Sequence, residues 1–143
     1  MNLLDVSHYE HRRGQYLVLI DKAILQKRYK LAVQLANRCL INYYRIFLNS
    51  VQPRYKFRRQ SAYVIALRLV RYFKKYSKRS SWFSRKDSLY NLLSVSFYLS
   101  HNLSSSGEHQ HLMFDRVIAE YARNNSQAIA RNIVDYLTEL KGK

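Results

Sequence analysis

The chain reads as all-α, a single helical bundle of about five helices. Only three glycines and one proline occur in 143 residues, too few turn formers for the many short strands of an all-β domain. The apolar residues, 48% of the chain, recur at helical spacing. A chain of this length closes one hydrophobic core, so residues 1–143 are expected to form one domain, and its composition is not that of a disordered polymer.

The first helix is expected from Gln15 to Arg28, with Leu17, Ile20, Ile24 and Leu25 on one side. Gly14 marks a break before it, with at most a short helical turn upstream. The second runs from Lys30 to Asn49, its apolar face carrying Leu31, Leu35, Cys39, Tyr43 and Ile46, and Pro53 lies just past its end. The third spans Arg59 to Ser77 and the fourth Lys86 to His101, joined by a polar, basic connection that contains Trp82 and Phe83. Residues 102–110, with Asn102-Leu-Ser-Ser-Ser-Gly-Glu108, read as an exposed mobile loop. The last element runs from His111 to Leu140, with a turn or fresh N-cap at Asn124-Asn-Ser126. Leu112, Val117, Ile118, Tyr121, Ile129, Ile133, Val134, Leu137 and Leu140 supply its apolar face.

The single cysteine, Cys39, excludes an intramolecular disulfide and sits in an apolar helical stretch, as a packed core thiol does. The amino terminus lacks a basic region followed by an apolar run, and no window holds eighteen uninterrupted apolar residues. These features predict an intracellular, cytoplasmic protein that is not embedded in a membrane.

Charge is the outstanding property. Twenty-five Lys and Arg face nine Asp and Glu, a net charge of +16. Such an excess works against folding through self-repulsion and attracts polyanions, of which nucleic acid is the commonest for a compact basic domain. The excess is local. No acid occurs between Asp21 and Asp87, and those 65 residues carry eighteen of the twenty-five basic side chains. At about 100° per residue the third helix places Ile65, Ala66, Leu69, Val70, Tyr72, Phe73 and Tyr76 on one side. Arg68, Arg71, Lys74, Lys75, Lys78 and Arg79 fall on the other.

Upstream stand Arg54, Lys56, Arg58 and Arg59, interleaved with Tyr55 and Phe57; downstream, Arg85 and Lys86 open the fourth helix. Cations at a helix N-terminus oppose the helix dipole, so those two are not placed there for helix stability. A merely solvated face mixes both signs, which this one does not. The predicted phosphate-binding surface is therefore Lys56, Arg58, Arg59, Arg68, Arg71, Lys74, Lys75, Lys78, Arg79, Arg85 and Lys86, centred on residues 54–86.

Thirteen tyrosines is a high number for this length. At helical spacing Tyr43, Tyr63, Tyr72 and Tyr121 are expected in the core with the hydroxyl reaching the surface. Tyr55, Phe57, Trp82 and Phe83 lie outside the amphipathic runs, which makes them the candidates for stacking on bases. Histidines are few, and His109-Gln-His111 lacks a second anchored pair of ligands, so no metal is predicted. No glycine-rich phosphate loop, nucleophile elbow or His-Glu-x-x-His occurs, and the thinly spread acids form no two-metal cluster. The expectation is a non-enzyme without a cofactor.

Two resemblances bear on this reading. Residues 25–40, Leu-Gln-Lys-Arg-Tyr-Lys-Leu-Ala-Val-Gln-Leu-Ala-Asn-Arg-Cys-Leu, resemble the first helical hairpin of HEPN-type domains, many of which are ribonucleases. Their Arg-x(4–6)-His motif is absent, since no histidine follows any arginine at that distance. Over the whole chain, the length, helical bundle, basic mid-chain face from Arg54 to Lys86 and lack of a catalytic motif are similar to the small subunit of Cascade-type CRISPR effector complexes. That resemblance implies a non-catalytic subunit of a ribonucleoprotein. It would be present in more than one copy, supporting the guide–target duplex and the displaced DNA strand. The partners expected are nucleic acid, whether DNA, RNA or a hybrid, and other protein subunits. A HEPN-like domain without the catalytic motif, or a ribosomal or assembly RNA-binding protein, stands as the alternative.

Overall fold

The computed structural model describes residues 3–54, 60–76, 83, 85–104 and 114–141. Among them lie five helices and no strand: α1 (Leu3–Leu25), α2 (Tyr29–Val51), α3 (Ala62–Tyr76), α4 (Lys86–Ser104) and α5 (Arg116–Lys141). The fold is an all-α bundle. Helix α2 touches each of the other four. It packs with α1 and α5 as a mutual group of three, while α3 and α4 pair with each other and also pack on α2.

Ala32, Val33, Ala36, Cys39, Leu40, Tyr43, Tyr44, Phe47 and Leu48 of α2 are all buried, covering about half the circumference at 3.6 residues per turn. The face is rotated from the one expected. Leu31, Leu35 and Ile46 are half-buried at its edges rather than at its centre. Opposite α2, α5 contributes Ala119, Ala122, Ser126, Ile129, Ala130 and Ile133, all buried, and the small side chains among them let the two backbones approach.

Helix ends follow the available caps. Lys27, at a positive φ of 60°, ends α1. Its N–H donates to Ile24 O at 3.0 Å and that of Arg28 to Ala23 O at 2.8 Å, the paired bonds of a Schellman ending. Pro53 follows the end of α2, as expected. Helix α3 starts three residues later than expected because Ser61 Oγ accepts from Val64 N at 3.3 Å. Asp115 Oδ1 does the same for Ile118 N at 2.9 Å and sets the start of α5.

Three expected breaks do not occur. Helix α1 runs straight through Gly14, with Ile20 and Ala23 as its buried anchors, while Leu25, expected in the core, is 84% exposed. Helix α5 is continuous across Asn124-Asn-Ser126. There Asn125 Nδ2 donates back to Tyr121 O at 2.9 Å and Ser126 Oγ to Arg123 O at 3.1 Å, so these side chains serve the existing helix instead of capping a new one. Helix α4 continues through Ser104, taking in the first three residues of the expected loop. Buried Asn102 donates to Tyr98 O at 2.9 Å. The rest of that loop, 105–110, and Leu112 lie outside the described residues. On α5, Val117 and Leu140 are exposed rather than packed.

Several buried polar groups find partners on their own or a neighbouring helix, while Asn37 Oδ1 and Asn42 Nδ2 of α2 are buried with no hydrogen-bond partner among the described residues. Ser96 Oγ donates to Leu92 O at 2.7 Å and has only one hydrogen, so in its 2.6 Å contact with Tyr44 the phenol is the donor. Burial pushes the Tyr44 phenol up, opposed by that hydrogen bond. Tyr43 donates its hydroxyl to Tyr9 O. Burial likewise pushes the Cys39 thiol up to about 12, with Arg13 opposing, as the packed core thiol of the sequence reading would be.

A Cβ added at Gly14 meets nothing within 4 Å. Gly14→Ala should therefore raise stability by about 0.5–1 kcal/mol, because alanine loses less backbone entropy in a helix. Urea unfolding checks this; an unchanged or lower midpoint would argue that α1 is not continuous at this point.

Candidate nucleic-acid interface

On α3, Ala62, Ile65, Ala66, Leu69, Val70 and Phe73 turn inward. Arg71, Lys74 and Lys75 are exposed on the opposite side, and no ion pair is found for them among the described residues. Their i, i+3 and i+4 spacing sets like charges side by side, which costs a helix a few tenths of a kcal/mol per pair. Lys74 and Lys75 stand in the last turn of α3, where the dipole favours them. That accounts for two of the three without a ligand but not for Arg71.

Two residues of the expected inward face depart from it: Tyr72 is half-buried and Tyr76 exposed. The Lys75 ammonium lies 5.2 Å from the centroid of the Tyr76 ring. Arg68 is half-buried, and its Nε donates to Gln52 Oε1 at 3.1 Å, tying α3 to the end of α2. It is a structural strut as much as a surface cation.

Arg85 and Lys86, at the start of α4, are exposed as expected, with Asp87 in the same first turn offsetting their cost at the helix N-terminus. The two helices are antiparallel neighbours. The Tyr63 and Phe97 rings meet edge-on at 5.2 Å, and Tyr63 N donates to Ser100 Oγ at 3.2 Å. At the other end Phe73 stacks on Phe83, just before α4, so Lys74 and Lys86 stand at the same end of the helix pair. The far end of this seam is cationic on both helices.

Of the other predicted site residues, Lys56, Arg58, Arg59, Lys78, Arg79, Tyr55, Phe57 and Trp82 lie outside the described residues. Phe83 is a correction. Expected to offer a free face to a base, it is 1% exposed, stacked on Phe73 at 4.0 Å with an interplanar angle of 2°, and edge-on to Tyr136 at 5.9 Å. It is a core ring, placed by residues ten before it and fifty-three after it.

Besides Tyr76, 51% exposed beside Lys75, the exposed aromatics of α3 and α4 are Tyr90, 75% exposed, and Phe97, 52% exposed. Arg38 and Arg45, seven residues apart on the outer strip of α2, are exposed too. Helical spacing could have found all four, since they lie opposite buried positions on their helices.

The acids gather elsewhere. Arg13 pairs with Glu10 at 3.0 Å, Arg116 with Glu120 at 2.9 Å, and Arg123 with Asp21, all on α1 and α5. The Arg123 guanidinium is raised mainly by its hydrogen bond to Asp21. Among the described residues no three His, Cys, Asp or Glu converge to hold a metal ion; His109 and His111 lie outside them. Nor, among those residues, is any helix long and apolar enough to cross a membrane. Comparison with models of known protein families, with curated proteins and with solved structures finds no match for this chain.

Because Arg71 and Lys75 are exposed, the double change Arg71→Glu with Lys75→Glu should leave unfolding stability within about 0.5 kcal/mol of the parent. Thermal or urea unfolding measures this directly. A loss of several kcal/mol would show that these cations are structural.

Proposed function

We propose that this protein binds the phosphate backbone of nucleic acid without reading sequence and catalyses nothing itself. The observation that supports this best is the acid-free cationic face of α3, Arg71, Lys74 and Lys75, carried on by Arg85 and Lys86 at the start of α4. Point charges on long, exposed side chains suit phosphates and carry no geometry for a particular base edge. Binding then proceeds by neutralising phosphates and releasing their counterions, so affinity falls steeply as salt rises. Among the described residues, the ion pairs found on α1 and α5 and the lack of one for Arg71, Lys74 and Lys75 support a division of labour. Helices α1 and α5 use their cations on each other's and their own carboxylates, while α3 holds Arg71, Lys74 and Lys75 toward a polyanion.

The resemblance to the small subunit of Cascade-type complexes extends the proposal. In a ribonucleoprotein, such a face would support a guide–target duplex and a displaced strand by their backbones, with protein subunits as neighbours.

Fluorescence anisotropy with single-stranded DNA, duplex DNA and an RNA–DNA hybrid of equal length tests the reading. All three should bind at low salt and weaken together at moderate salt. Arg71→Glu with Lys75→Glu should lower affinity at least about tenfold. Unchanged affinity in that variant would remove α3 as the binding face, and no binding to any polymer at low salt would overturn the proposal.

A further inference from the structure

We propose that the outer seam of α3 and α4 is a platform for single-stranded nucleic acid, with unpaired bases stacking on Tyr90 and Phe97 beside phosphates held by Lys86, Lys74 and Arg71. The inference rests on the backbone-binding reading and narrows it to a class of polymer.

Tyr90 and Phe97 are exposed on the side of α4 opposite Leu92, Val95 and Leu99, all of which are fully buried. A large ring left in water forfeits the gain from burying it. Among the described residues Tyr90 meets no other ring, and Phe97 keeps half its surface in water despite its contacts with His101 and Tyr63. The stripe is ordered from below. The Phe97 ring is stacked on that of His101, with centroids 5.7 Å apart and planes within 8°, and is met edge-on by Tyr63. Its orientation is thereby set before any ligand arrives.

Seven residues separate the two rings, about 10 Å along the helix axis. That is roughly three of the ~3.4 Å axial rises per nucleotide of a stacked strand.

Charge selects the occupant. Lys86 is on the same stripe, four residues before Tyr90, and Lys74, next to Phe73, stands at the same end of the antiparallel pair, where Phe73 stacks on Phe83. Asp87 lies one residue on from Lys86, about 100° around the helix, and three before Tyr90, and the cations Arg85, Lys86 and Lys74 outnumber it at this end. A surface with aromatic faces at one end and cations at the other fits a polymer of alternating π-faces and phosphates. A duplex keeps its base faces inside the stack and cannot use these rings, so the platform favours unpaired strands.

The test is anisotropy with a labelled oligothymidylate and an abasic strand of the same length and charge. The parent protein should bind the base-bearing strand at least about tenfold more tightly than the abasic one. Tyr90→Ala and Phe97→Ala should each lose about five- to tenfold on oligothymidylate and nothing on the abasic strand, while Tyr90→Trp keeps the preference. Equal affinity of the parent for both strands, or a preference that survives both alanine changes, overturns the platform while leaving backbone binding intact. Failure of the parent to bind either strand overturns the underlying reading as well. The comparison of strands in the parent protein needs no variant to fold.

Discussion

Phe47, on α2, meets Phe73 at 4.9 Å and Tyr72 at 5.3 Å on α3, and Tyr136 at 5.7 Å on α5. Phe83 closes the group by stacking on Phe73. This aromatic cluster joins three helices and the segment before α4 at one place, and edge-on or tilted rings of this kind add to the area they bury. The position of α3 depends on it. With Phe73 held inward, the helical period sends Arg71, Lys74 and Lys75 outward to the surface. Gln52 with Arg68, and Ser100 with Tyr63, fasten the same helix to α2 and α4.

The charge distribution follows from where the acids are. Each ion pair on α1 and α5 uses a carboxylate from outside residues 22–86, so the middle of the chain has none to spend on its own cations. Their mutual repulsion is a cost to the folded state that a polyanion relieves. Hydrogen bonds inside the bundle work against that cost: the Tyr44–Ser96–Leu92 chain links α2 to α4. The Arg13 guanidinium, raised mainly by its hydrogen bond to Glu10, also donates to Gln127 on α5 at 3.2 Å.

Much of the bundle was legible in the residues alone. The 3.6-residue period located five helices, and the inward face of α3 was correct at Ile65, Ala66, Leu69, Val70 and Phe73. Signals that depend on tertiary context were not. Gly14 and Asn124-Asn-Ser126 are locally weak helix formers, yet packing against α2 keeps both helices whole. Ser61 and Asp115 fix helix starts through caps that periodicity does not see. Phe83 looked free because it lies outside any amphipathic run; its burial comes from rings on α3 and α5 that no local pattern encodes. Tyr90 and Phe97 were within reach, since the period of α4 places them opposite Leu92, Val95 and Leu99.

The central claim is that exposed cations of α3 and α4 neutralise phosphates. The slope of log affinity against log salt concentration for a single strand measures how many are neutralised, at about −0.7 per phosphate. Contacts from three to five of Arg71, Lys74, Lys75, Arg85 and Lys86 predict a slope between about −2 and −4. A slope near zero, at any affinity, would mean that the charge of this face is not what binds the polymer.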